Sequence, residues 1–127
     1  MRPALLLLML AMLCIPGIAS AQSMNAEAFF KRAQTLRAKG ALALMSRDLR
    51  PLIREAKSAG LKARSIRLAA IAAGRAPRYC PPKGSKRLGN EEFMDGMAAI
   101  PPAERLSIDL TEAITRILVR KYPCTKN

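Results

Sequence analysis

No histidine and no tryptophan occur in the 127-residue chain, and the aromatic residues are limited to three phenylalanines and two tyrosines. Without histidine the chain lacks the commonest general base, the commonest metal ligand and the standard partner of a serine or cysteine nucleophile. A serine–lysine hydrolase stays formally open, but no Ser-x-x-Lys occurs anywhere. Cysteine is scarce: Cys14 lies in the apolar opening run, and Cys80 and Cys124 stand 44 residues apart with no third soft ligand beside them, a poor basis for a metal site. Acid is short too, with 9 Asp and Glu against 22 Lys and Arg, a formal net charge of +13. No enzyme chemistry, cofactor site or metal site is therefore expected. The length allows one domain.

The opening residues are best set apart from the fold. Met1-Arg2-Pro3 is a short positive start, Ala4 to Ile15 is an unbroken apolar run, Pro16-Gly17 breaks it, and Ala19-Ser20-Ala21 is an A-x-A cleavage site. This predicts a secretory signal peptide cleaved after Ala21 and a periplasmic or secreted protein. The run is short for a membrane span. Leu13 before Cys14 argues against lipidation. Cleavage removes Arg2 and Cys14, so the mature chain has a net charge of +12 and two cysteines. In an exported domain of this size an even pair implies a disulfide, here Cys80–Cys124. Closing that loop restricts the unfolded chain by ~4 kcal/mol in the chain-entropy model.

Along the mature chain the periodicity is helical throughout. Residues 24–39 form a first helix, capped by Asn25 or Ser23 and stopped by Lys39-Gly40, with Phe29, Ala33 and Leu36 on one face. Ala41 to Met45 is a short apolar turn. Asp48 caps a long second helix with Pro51 in its first turn, ending at Ala73-Gly74. Its apolar set is Leu49, Leu52, Ile53, Ala56, Ala63, Ile66 and Ala70, its outer side is basic, and Gly60 is a candidate kink. Residues 75–89 are a loop rich in proline and glycine. Asn90-Glu91-Glu92 caps and starts a third helix, ended by Pro101-Pro102, and Asp109-Leu110-Thr111-Glu112 is a capping box for the last. No strand alternation or internal repeat is visible. The expectation is all-α: a small bundle of about four helices with one disulfide.

The charge is unevenly spread. Residues 22–90 hold sixteen Lys and Arg against Glu27, Asp48 and Glu55, whereas residues 91–127 are nearly neutral. In an exported protein such an excess points to anionic lipid, cell-wall polymer or an acidic protein rather than nucleic acid. The 75–89 loop carries Arg75, Arg78, Lys83, Lys86 and Arg87 with no acid, is stiffened by prolines and is fixed at Cys80. Pre-organisation of this kind lowers the ordering cost of binding, so these five are the candidate partner contacts. Glu91, Glu92 and Asp95 read as a helix start favoured by its dipole, not as a cation site. Gly84-Ser85-Lys86 lacks the spacing of a phosphate loop. Tyr79 and Tyr122 are expected to pack around the disulfide, and Met45, Met94 and Met97 to fill the core.

Three features come in order: Tyr79-Cys80-Pro81-Pro82, a short helix ended by Ile100-Pro101, and a last helix ending Tyr122-Pro123-Cys124. This layout, over residues 78–124, resembles the Rap/Tai family of periplasmic immunity proteins, which neutralise peptidoglycan amidase effectors delivered by type VI secretion. The resemblance implies a helical, disulfide-bonded, non-enzymatic domain that blocks an enzyme's cleft, with Cys80 and Cys124 at the bridging positions. In the first half, Lys39-Gly40-Ala41-Leu42-Ala43 and an arginine-rich helix stand where many members carry further cysteines. A basic envelope protein that binds anionic lipid or wall polymer, and a small periplasmic chaperone, are the alternative expectations.

Overall fold

The computed structural model describes residues 22–125; the leader read at residues 1–21 lies outside them. The described chain is all-α. In order come α1 (Ala26–Ala38), a 3₁₀ turn (Gly40–Met45), α2 (Leu49–Ala72), α3 (Asn90–Ala98), α4 (Pro102–Ser107) and α5 (Leu110–Lys121), with no strand among the described residues.

The N-termini of α1 and α5 are tied to each other. Four N–H groups at a helix start have no partner within the helix. Here an antiparallel bridge between Asn25 and Asp109 meets the first N–H of each helix, and side chains meet the next ones. The Asn25 side chain accepts from the N–H groups of Glu27 and Ala28, and Ala26 N–H donates to the Ile108 carbonyl at 3.0 Å. In return, Leu110 N–H donates to the Met24 carbonyl at 2.7 Å and Thr111 N–H to Ser23 Oγ at 3.1 Å. Asp109 Oδ1 accepts from Glu112 N–H at 2.8 Å. Asn25 is thus the cap of α1, while Ser23 serves the other helix. The capping box is only half made, because the Glu112 carboxylate turns to Arg78 and Arg116.

The core gathers Phe29, Phe30 and Leu36 of α1, Leu52, Ala59 and Ala63 of α2, Met94 and Met97 of α3, Ile100, and Leu110, Ala113, Ile114 and Ile117 of α5. α2 packs chiefly on α5. The alanines it turns inward let two helices lie close, since interaxial distance follows the side chains at the contact. Phe29 meets Phe93 edge to face, with ring centres 5.7 Å apart. Gly96 is required by packing: a Cβ there would lie 2.8 Å from Ile117 Cγ1.

Several expectations need correction. α2 runs unbroken through Gly60, because an isolated glycine costs a helix only ~1 kcal/mol and tertiary contacts outweigh it. Asp48 sits at the α2 N-cap in a helical conformation and makes no capping bond. Gly89, not Asn90, is the N-cap of α3. α3 does stop ahead of Pro101-Pro102, but a further short helix was not expected: Pro102 opens α4 at a position where its missing N–H is harmless. Met45, Ile53 and Ile66 lie on the surface, and Met45 is 85% exposed. Met94 and Met97 are buried as expected.

One buried ion pair holds α4 to α1. Arg105 is 5% exposed, pairs through Nε with Glu27, and donates to the Met97 carbonyl at 3.0 Å and to that of Ile100. Its guanidinium lies 4.3 Å from the centre of the Phe30 ring. A buried charge is tolerated only when paired and hydrogen-bonded, and Arg105 is both.

Candidate partner-binding surface

The 75–89 loop leaves α2 through a well-made stop. Gly74 takes φ +70°, its N–H reaches the Ile71 carbonyl, and Arg75 N–H reaches that of Ala70 at 2.8 Å. This is the double bond pattern of a left-handed helix end, where glycine has no Cβ penalty. Tyr79 then buries, and Cys80 bonds to Cys124 with Cα atoms 5.0 Å apart. Cys80 N–H donates to the Tyr122 carbonyl at 2.8 Å. Farther on, Ser85 N–H closes a turn onto Pro82, with Gly84 at φ +73° in the position that favours glycine. Tyr122 Oη donates to the Lys86 carbonyl at 3.3 Å. The loop has no regular structure, yet it is anchored at several points along its length.

Of the five basic residues expected to meet a partner, four are exposed without an acidic partner among the described residues: Arg75, Lys83, Lys86 and Arg87. Arg78 is different. It grips Glu112 of α5 through two bonds of 2.6 and 3.0 Å, so its charge is engaged inside the fold. That bond above all, followed by the Arg116 contact, holds the Glu112 carboxyl below its ordinary range despite some opposing burial. Arg78 is raised by the same bond.

A groove of about 400 Å³ lies between α2, the start of the loop and α5, lined among others by Lys62, Arg67, Arg75, Arg78, Tyr79 and Thr115. Its acids are occupied, Asp109 as a cap and Glu112 by two arginines. Arg67 lies 5.4 Å from the centre of the Tyr79 ring, and its Nε is buried with no hydrogen-bond partner among the described residues. Tyr79 thus packs against a cation of α2 rather than only around the disulfide. Lys62 and Arg67 were not singled out from sequence, since on a basic helix nothing distinguishes the two arginines or lysines that border a groove from the rest.

No cluster of three or more His, Cys, Asp or Glu with metal-holding geometry occurs among the described residues, and no described helix is long and apolar enough to cross a membrane. No family model, no curated protein and no solved structure matches the chain.

Proposed function

We propose that this is a non-enzymatic binding protein of the immunity type, exported from the cytoplasm, that occupies the cleft of a cell-wall amidase through the cationic loop 75–89. The observation that carries the reading is the pinned loop: Arg75, Lys83, Lys86 and Arg87 stand unneutralised on a segment fixed by the Cys80–Cys124 bond and by the Tyr122 contacts to Cys80 and Lys86. A loop ordered before binding loses less freedom on contact, and a field of one sign steers an acidic partner. The family resemblance over residues 78–124 supplies the kind of partner.

The test uses the mature chain against envelope extract. The expected result is capture of a peptidoglycan amidase whose hydrolysis of purified wall stops when the chain is added. Charge reversal at Lys83, Lys86 and Arg87 together should weaken inhibition by about a hundredfold, or ~2.8 kcal/mol, within the range of close interfacial charge pairs. An amidase that remains fully active in the presence of saturating chain ends this reading.

A further inference from the structure

The exposed apolar side chains are not scattered. Among the described residues, every large one except Leu106 lies between Leu42 and Ile71. Leu42, Leu44 and Met45 project from the 3₁₀ turn, at 69%, 79% and 85% exposed. On α2 the ridge opposite the buried Leu52, Ala59 and Ala63 runs Arg50, Arg54, Lys57, Leu61 and Leu68, at helical spacing. Ile53, Arg64 and Ile71 flank it. The expectation of a basic outer side therefore holds for the first half of α2 only; past Gly60 the face is largely apolar.

The same segment is cationic and unneutralised. Lys39, Arg47, Arg50, Arg54, Lys57 and Arg64 are exposed and form no ion pair among the described residues. Its two acids are Asp48, exposed at the helix start, and Glu55, which accepts the Met24 N–H. A second copy of the chain is a poor occupant, because it would bring like charges together. A folded acidic partner would need a concave match to a ridge in which long cations give way to apolar tips past Gly60. A bilayer interface needs no such match: apolar tips enter it while lysine and arginine lay their stems alongside and keep their charges at the phosphates.

We infer that the 3₁₀ turn and the outer face of α2 seat the protein on an anionic lipid surface, with Leu42, Leu44 and Met45 entering the headgroup boundary. The basic face supplies the attraction to lipid phosphate, and the apolar tips supply a hold that salt does not screen. This surface is separate from loop 75–89 and stands without the amidase reading.

Co-sedimentation of the mature chain with vesicles tests it. The chain should bind phosphatidylglycerol-containing vesicles and not pure phosphatidylcholine. Leu42→Asp with Met45→Asp, or Arg50→Glu with Arg54→Glu, should weaken binding by about tenfold or more. The variant reversed at Lys83, Lys86 and Arg87 should retain most of its vesicle binding. All substituted positions are exposed, and an unchanged melting curve shows that each variant is folded. No binding to anionic vesicles, equal binding to neutral ones, or undiminished binding by the Leu42/Met45 variant overturns the inference. So does a solution dimer that the Leu61→Asp change dissolves. Vesicle binding that survives while amidase inhibition is absent leaves this inference standing and ends only the other.

Discussion

At the residue scale, stability concentrates in a few side chains whose roles differ sharply in how readable they are. Arg105→Ala would leave Glu27 buried with only Lys31, at 3.7 Å, for company. Breaking a buried pair from one side costs ~3–5 kcal/mol. Urea unfolding should show that loss, and the Glu27→Ala/Arg105→Ala double variant should lose less than the two singles together. The two interior helix glycines should respond in opposite directions. Gly60 has nothing within 4 Å of a new Cβ, so Gly60→Ala should stabilise by ~1 kcal/mol. Gly96→Ala presses on the branched side chain of Ile117, at Cγ1, Cδ1 and Cγ2, and should destabilise by ~1–3 kcal/mol. Glu112 gives a pH signature. Its folded pKa lies below its unfolded value, so its contribution is complete above the ordinary value of 4.5 and is lost as pH falls through the depressed one. Melting curves through that acid window should fall less steeply for Glu112→Gln than for the parent. None of this was visible for Arg105, because an arginine in a short polar segment reads as surface until Glu27, Met97 and Ile100 are brought around it.

At the scale of elements, periodicity and caps located α1, α2, α3 and α5 closely, since each displays a stripe of apolar residues long enough to count. α4 escaped because six residues behind two prolines have no room for a stripe; its one tie to α1 by an ion pair, Arg105 to Glu27, lies across 78 residues of sequence. The exposed isoleucines of α2, Ile53 on its flank and Ile66 in the groove beside α5, were misread for a related reason. Ile53 and Ile66 fit a helical repeat, but the repeat states only that a face is apolar, not that another element covers it. The loop behaved better than its composition suggests, since Gly74 and Gly84 mark its turns and Cys80 its anchor. Cys124→Ser should destabilise the domain by about 4 kcal/mol through the longer unfolded loop it permits. Equilibrium unfolding with and without a thiol reductant checks this, and the reduced parent should match the variant.

Across the whole molecule, charge is partitioned. The acids are drawn into pairs by α1, α4, α5 and Arg78: Glu27 with Arg105, Glu91 with Arg37, Glu92 with Lys121, Glu104 with Arg116, and Glu112 with both Arg78 and Arg116. Most of what forms no ion pair among the described residues lies on α2 and just before it, at Lys39 and Arg47, and on the loop, at Arg75, Lys83, Lys86 and Arg87. Residue counts already showed the first half to be basic; they did not show that the acids of the second half, Asp95 excepted, would be spent internally, which is what leaves two cationic surfaces. The tie between Asn25 and Asp109 has a consequence for how such a chain comes into being. The Ala26 N–H has no Ile108 carbonyl to meet until residue 108 has been made, and the Met24 carbonyl is unmet by Leu110 for as long. Joining segments so far apart carries a loop-closure cost that local helix formation does not. A polypeptide emerging N-terminus first can therefore form α1 early on its local Asn25 cap, whereas the tie between the two helix starts closes only once residues 108–110 have appeared.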